Sequence, residues 1–132
     1  RDVFATNVFG AFACVQEAMR KGCTRVVNLS TVAVPYNLPG EAAYVASKAA
    51  LEALTRVWAY EFPGATVNAV GPTPVATALL GGVPAENVAA LVARQVIPRL
   101  GTVEDVINVV DFFLSPASSF ITGQTIYLGG AC

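Results

Sequence analysis

An α/β fold built on a partial, doubly wound parallel sheet, with about three strands and flanking helices, is the class this sequence predicts. Three observations predict it. Short β-branched runs alternate with longer stretches of helical periodicity, the order expected of parallel strands joined by right-handed crossovers. The strand-like runs are apolar almost throughout, as in strands covered on both faces. Glycine and proline gather at the joints between these runs, where they end elements.

The elements follow in order. Residues 3–19 place Val3, Phe4, Val8, Phe12, Val15 and Met19 at near-helical spacing, which predicts a helix ended at Lys21-Gly22. Arg25 to Leu29 reads as a buried strand, and a loop through Pro35, Pro39 and Gly40 follows. Glu41 to Phe62 is rich in alanine and leucine and predicts a long helix stopped by Pro63-Gly64. Thr66 to Val70 predicts a second strand, closed by Gly71-Pro72-Thr73-Pro74, with a loop or short helix over Val75 to Leu80. Another helix is expected from Pro84 to about Val96. Thr102 with Asp105 resembles a capping box and opens a helix reaching about Leu114. Ser115 to Gly123 reads as a turn region and Gln124 to Leu128 as a last strand. There is no internal repeat or linker, so residues 1–132 are expected to form one partial domain.

Composition excludes several function classes. With 55% hydrophobic residues among 132 and a positive mean hydropathy, the chain is more apolar than an ordinary soluble domain. That fits either strands buried on both faces or a surface made to lie against something else. The net charge is -1 and the eight basic residues are scattered, so neither nucleic acid nor an anionic membrane is expected as a partner. The longest uncharged stretch, Phe62 to Ala85, holds Pro63, Pro72, Pro74 and Pro84, which would break any spanning helix. Cys14, Cys23 and Cys132 have no metal-like spacing and are expected to be reduced thiols in a cytoplasmic protein. The absence of histidine excludes Ser-His and Cys-His nucleophilic chemistry and histidine metal sites within this chain. No metal is expected.

Tyr44 and Lys48 stand four apart on the predicted long helix and share one face. A free tyrosine is a poor base at neutral pH, but a nearby ammonium stabilises phenolate and makes a general acid/base of such a pair. By itself the pair reads more readily as a surface feature. Its surroundings change that reading. Asn28-Leu29-Ser30-Thr31 ends the upstream strand with hydroxyls at the carboxyl edge of a parallel sheet, where ligands bind in open α/β sheets. Val67 to Pro72 ends the next strand at that edge, followed by Val75-Ala76-Thr77.

With these residues in place the sequence resembles the short-chain dehydrogenases/reductases. The matching pieces are Asn7 to Gly10, Val26 to Thr31, Tyr44 to Ala50, Val67 to Thr77, and Arg99-Leu100-Gly101 through Gly123-Gln124 to Gly129-Gly130. They cover essentially the whole chain in order. The segments Asn68 to Thr77 and Asn108 to Phe113 resemble ketoacyl-reductase-like members most. The resemblance implies a Rossmann-like fold and an oxidoreductase that passes a hydride between NAD or NADP and a small carbonyl/alcohol substrate. It implies that Tyr44 gives and takes the substrate proton, and that Lys48 assists it and hydrogen-bonds the nicotinamide ribose. Asn7 matches the asparagine that holds a relay water, and Pro72, Val75 and Thr77 match the segment around the nicotinamide. The family's hydroxyl residue stands thirteen positions before the tyrosine, which lands on Thr31, with Ser30 adjacent. Neighbouring strand residues face opposite sides, so only one is expected to reach the substrate; Thr31 is favoured and Ser30 remains open. Thr73 departs from a family glycine and implies a locally different nicotinamide loop.

The sequence contains no Gly-x-x-x-Gly-x-Gly or Gly-x-Gly-x-x-Gly turn. The amino-terminal half of the family's fold, four of its usual seven strands, is therefore expected to be missing. The start Arg1-Asp2-Val3-Phe4 has neither an initiator methionine nor signal-peptide character, which points to a truncated chain. Cofactor binding by this chain alone is accordingly doubtful, and so is catalysis. The competing reading is a non-catalytic remnant serving as an oligomerisation or binding module. An exposed edge at Arg25–Leu29 predicts association, either as a homo-oligomer or with a missing amino-terminal half. The family commonly dimerises through helices matching 3–19 and 42–62, with Val57, Trp58 and Phe62 as candidate contacts, although core packing explains them about equally well. The apolar stretch from Ala76 to Val96, including Leu79, Leu80, Val83, Val88 and Leu91, points to a hydrophobic substrate, although core packing explains it more simply.

Overall fold

The strand runs do form a parallel sheet. A computed structural model of the protein describes residues 2–131; Arg1, Cys132 and the side chains of Ala78 and Leu79 lie outside the described residues, with the expectations for Cys132 and Leu79. A π-helical stretch, Ala5–Gly10, runs into helix α1, Ala11–Arg20. Strand β1 (Arg25–Leu29), a short helix α2 (Ala33–Tyr36) and the long helix α3 (Ala42–Glu61) follow. Then come β2 (Thr66–Gly71), a 3-10 turn (Ala78–Gly82), α4 (Ala85–Arg94), α5 (Val103–Leu114), a second 3-10 turn (Pro116–Ser118) and β3 (Thr125–Tyr127).

The sheet order is β1-β2-β3 and both pairings are parallel. Arg25 faces Thr66 and Leu29 faces Val70, while Ala69 faces Thr125 and Gly71 faces Tyr127. Every residue of central β2 is buried. Strand alternation sends its side chains into two cores. On one face Val67 packs with Val15, Leu51 and Trp58, supported by Val26, Leu54 and Phe62. On the other, Val70 packs with Val109 and Phe113, joined by Val27, Val106 and Ile126. Helices α1 and α3 thus cover one face and α5 the other. Trp58 is only 2% exposed and its ring lies 5.8 Å from Phe12, so of its two readings, dimer contact and core, the structure gives core.

Local chemistry explains most boundaries. Gly22 adopts φ +84° after α1, the left-handed position that favours glycine at a helix end. The capping box is present: Asp105 N–H donates to Thr102 Oγ1 and Thr102 N–H to Asp105 Oδ2. Arg99 adds an ion pair to the same carboxylate at 2.8 Å. The loop expected around Pro35 contains α2 instead: Thr31 Oγ1 accepts the Ala33 N–H in a local turn just before it, and the Tyr36 N–H closes the helix on the Val32 carbonyl. Asn37 then ends it at φ 49°. Helix α4 stops at Arg94, short of Val96, because the Val96 and Ile97 N–H groups turn to the Gly129 carbonyl. Among the described residues no helix is long and apolar enough to cross a membrane.

Asn68 is a buried polar residue on the central strand. Its amide nitrogen donates to the Ile121 carbonyl and its Oδ1 accepts the Gln124 N–H, each at 3.0 Å. One side chain therefore pins the turn before β3 to β2. Asn68→Ala would orphan both backbone groups. We expect urea unfolding to show a loss of about 2–3 kcal/mol, against well under 1 kcal/mol for the exposed control Glu104→Ala.

Candidate active site

The carboxyl ends of β1 and β2 open on one edge of the sheet, and α3 starts from that edge. Tyr44 lies in the first turn of α3. A cavity of about 750 Å³ opens there, with Thr31, Tyr44, Pro72, Val75 and Thr77 on its walls. Leu80, Val83, Val88 and Leu91 complete an apolar side. A depression of similar size at the opposite end of the strands, between Arg20–Thr24 and Glu61–Ala65, is remote from these groups.

Three consecutive residues of the β1 end are hydrogen-bonded to α3. Asn28 Nδ2 donates to Thr55 Oγ1 at 3.0 Å, and Lys48 Nζ donates to the Leu29 carbonyl at 2.7 Å. Ser30 Oγ donates to Glu52 Oε2. Asn28 and Ser30 are two apart and point the same way, as strand alternation requires. Thr31 then faces the cavity instead. Its Oγ1 accepts the Ala33 N–H, which leaves its O–H free to donate. The structure thus separates the two candidate hydroxyls: Thr31 lines the cavity, while Ser30 is 4% exposed and engaged with Glu52.

The Tyr44 hydroxyl, half-buried, has no hydrogen-bond partner among the described residues. Lys48 lies one turn along the same helix face and uses one of its three N–H donors on Leu29. Burial holds its ammonium below its usual pKa of 10.5. Asn7 sits in the π-helical stretch, a widened turn frequent at functional sites. Its Nδ2 donates to Ser47 Oγ at 3.1 Å, and Ser47 donates to the Tyr44 carbonyl at 2.7 Å. Asn7 is therefore tied to the start of α3.

The loop after β2 explains the departure at Thr73. This residue is buried and has no positive φ, so it needs no glycine-like freedom. Room for it comes from two glycines: a Cβ on Gly101 would lie 3.0 Å from Thr73 Oγ1, and one on Gly129 would lie 2.9 Å from its Cγ2. Gly71 is equally constrained, since a Cβ there would meet the Tyr127 ring at 2.4 Å. Tyr127 in turn donates to Glu52 Oε1 at 2.6 Å. Sequence reasoning missed Glu52 and Tyr127. The available signal was an acidic residue placed four beyond Lys48 and eight beyond Tyr44, on the same face of an otherwise apolar helix.

A family model described as enoyl-(acyl carrier protein) reductase matches residues 1–130. The chain belongs to the short-chain dehydrogenase/reductase family. It is 38% identical over 135 residues to a short-chain type dehydrogenase/reductase of Picea abies, covering 97% of this chain and 50% of that protein. It is 36% identical to a 3-oxoacyl-(acyl-carrier-protein) reductase of Staphylococcus aureus, covering 98% of this chain and 55% of the relative. Among solved structures it matches a variant of a Serratia marcescens short-chain dehydrogenase/reductase with TM-score 0.87 and 30% identity, over 98% of this chain and 54% of that one. A 4-hydroxyisoleucine dehydrogenase complexed with NADH matches with TM-score 0.85 and 26% identity, over 96% and 56%. The chain spans about half the length of the curated relatives it matches.

The donor set of this short-chain dehydrogenase/reductase fits one end of a nicotinamide dinucleotide. Hydroxyl residues Thr31, Tyr44 and Thr77, with Pro72 and Val75, on the cavity walls and the Lys48 ammonium on the Leu29 carbonyl at the end of β1 suit a neutral ring and a polyhydroxylated ribose. The sequence holds no glycine-rich turn of the kind that seats a pyrophosphate. The fit is to the nicotinamide-ribose end alone.

Lys48 makes a pH prediction. A lysine whose folded value is lowered binds fewer protons folded than unfolded, so its destabilising effect is complete below the folded value. That effect fades as pH rises and is gone above the unfolded value of 10.5. We expect the stability gap between wild type and Lys48→Met to shift in favour of wild type as pH rises towards 10.5, measured by urea unfolding. A pH-independent gap would contradict a desolvated ammonium.

Proposed function

We propose that this chain supplies the catalytic half of an NAD- or NADP-dependent oxidoreductase acting on a carbonyl/alcohol pair. The observation that carries the reading is the placing of the Thr31 and Tyr44 hydroxyls on one cavity, with the Lys48 ammonium one helical turn away. Pro72, Val75 and Thr77 would hold the nicotinamide end, and Lys48 would bond its ribose. When bound, the nicotinamide supplies or accepts the hydride.

The protein's own groups handle the proton and the oxygen. Thr31, whose Oγ1 is oriented by the Ala33 N–H, donates its free O–H to the carbonyl oxygen and polarises it. Tyr44 delivers the proton to that same oxygen as its charge grows. The Lys48 cation stabilises the phenolate left behind, and Lys48 keeps two N–H donors for the ribose after its bond to Leu29. Asn7 anchors the π-helical turn to α3 through Ser47 and keeps its Oδ1 for a relay water. Leu80, Val83, Val88 and Leu91 on the cavity wall favour an apolar carbonyl substrate.

The activity requires a dinucleotide-binding half, and the chain spans about half the length of its curated relatives. Supporting an associated state, Phe9 of the π-helical stretch and Val57 and Tyr60 of α3 are 68%, 48% and 89% exposed. The free edge of β1 supports it too. Free thiols at Cys14 and Cys23 fit a reducing, cytoplasmic setting. The second reading, a non-catalytic oligomerisation module, draws on the same exposed surface.

Two measurements test this. Nicotinamide fluorescence is expected to show little NADH or NADPH binding by the 132-residue chain alone, and binding with carbonyl reduction once the dinucleotide-binding half is present. In that active form Tyr44→Phe should lower kcat by about 10²–10⁴-fold with cofactor affinity retained; surviving activity would show that another group is the acid. Sedimentation of the isolated chain is expected to show a dimer or larger species, and a well-folded monomer would defeat the association.

A further inference from the structure

Glu52 is a feature of α3 that the proposed chemistry does not use and that packing does not demand. It is an acidic residue 5% exposed, and both its carboxyl oxygens accept O–H groups, Ser30 at Oε2 and Tyr127 at Oε1. Burying such a group is costly, and a well-packed hydrophobic residue in its place is often neutral or stabilising. Stability is therefore a poor reason for it. Its position is informative. It stands four residues beyond Lys48 and eight beyond Tyr44 on α3, so all three share a face.

The two donors come from the walls of the site. Ser30 immediately precedes Thr31, whose own side chain faces the cavity. The Tyr127 ring lies against Gly71, so closely that a Cβ would approach within 2.4 Å. Gly71 immediately precedes Pro72, the first cavity residue after β2. An added Gly71 Cβ would also lie 3.3 Å from the Thr31 carbonyl carbon. One carboxyl thus ties together the ends of β1 and β2 and the helix carrying Tyr44 and Lys48. Burial, and then the bond to Glu52, hold the Tyr127 phenol far above its ordinary pKa, so it remains a donor throughout the working pH range.

We infer that Glu52, with Ser30 and Tyr127 as its clamps, is a positioning residue that sets where the end of β1 delivers the Thr31 hydroxyl against Tyr44. This rests on the oxidoreductase reading above. Neither Glu52 nor Tyr127 touches the reacting atoms; they act through Ser30–Thr31 and Gly71–Pro72.

The test uses the protein with its dinucleotide-binding half present, NADH and NADPH, and two probe substrates, a short β-ketoester and an aliphatic aldehyde. Glu52→Gln keeps the shape but turns one acceptor into a donor that faces an O–H. We expect kcat per active site to fall about ten- to hundredfold, KM for the cofactor to change by less than about twofold, and the isotope effect from 4-deuterated nicotinamide to rise. Tyr127→Phe keeps the ring on Gly71 and removes one bond, so it reports even if Glu52→Gln folds poorly; its kcat should fall about three- to tenfold with the same rise. A cross-link needed only for folding would lower the melting temperature and the number of active sites, leaving kcat per site and the isotope effect unchanged. That result in either folded variant overturns the inference. If Tyr44→Phe is inactive while both clamp variants turn over normally, positioning by Glu52 is wrong and the oxidoreductase reading stands. Full activity in Tyr44→Phe, or no turnover by the parent protein with any probe, removes both.

Discussion

The site depends on the strapping of one strand end to one helix face. Asn28, Leu29 and Ser30 bond in turn to Thr55, Lys48 and Glu52 of α3. A strand end is ordinarily free to bend where its ladder stops. Here Ser30 N–H donates to the Val70 carbonyl and Val32 N–H to the Pro72 carbonyl, and the helix holds the chain from the other side at the same place. Because alternate residues face opposite ways, holding Asn28 and Ser30 on the helix side directs Thr31 to the cavity. Tyr44 and Lys48 belong to the same helix, so the groups that need to meet are fixed by one set of contacts.

The sheet makes that arrangement rigid. β2 is buried along its whole length between two apolar cores, and Asn68 fastens the β3 turn to it. β3 then carries Tyr127 back to Glu52. Glycines at 71, 101 and 129 stand where the loop after β2 and its neighbours approach within a side-chain radius. Small residues there are required by space. The Thr73 methyl and hydroxyl occupy room left by two of them, which is how a threonine is tolerated in this loop.

Much of this was legible in the residues. The Arg25–Leu29 run and the alanine-rich stretch ended by Pro63-Gly64 gave β1 and α3 within a residue, because β-branched runs and helix stops are local signals. The Thr102/Asp105 capping box was legible for the same reason. Helix α2 was not, since a single turn of four residues with a proline inside it leaves no periodicity to read. The Tyr44/Lys48 pair was visible from its spacing, and the strand alternation argued that Ser30 and Thr31 must part. Which way each turned depended on Glu52, whose partner Tyr127 lies 75 residues away. Trp58 stayed open between contact and core because a large aromatic on a helix does not say which side is covered. Its tilted packing against Phe12 belongs to the tertiary structure.

The most direct measurement is a crystal structure of the protein with its dinucleotide-binding half, a nicotinamide cofactor and a bound carbonyl compound. The carbonyl oxygen is expected within about 2.6–3.2 Å of both the Tyr44 and Thr31 hydroxyls, with Ser30 still on Glu52. A carbonyl oxygen held by Ser30, or a Tyr44 hydroxyl turned away from it, would contradict the account.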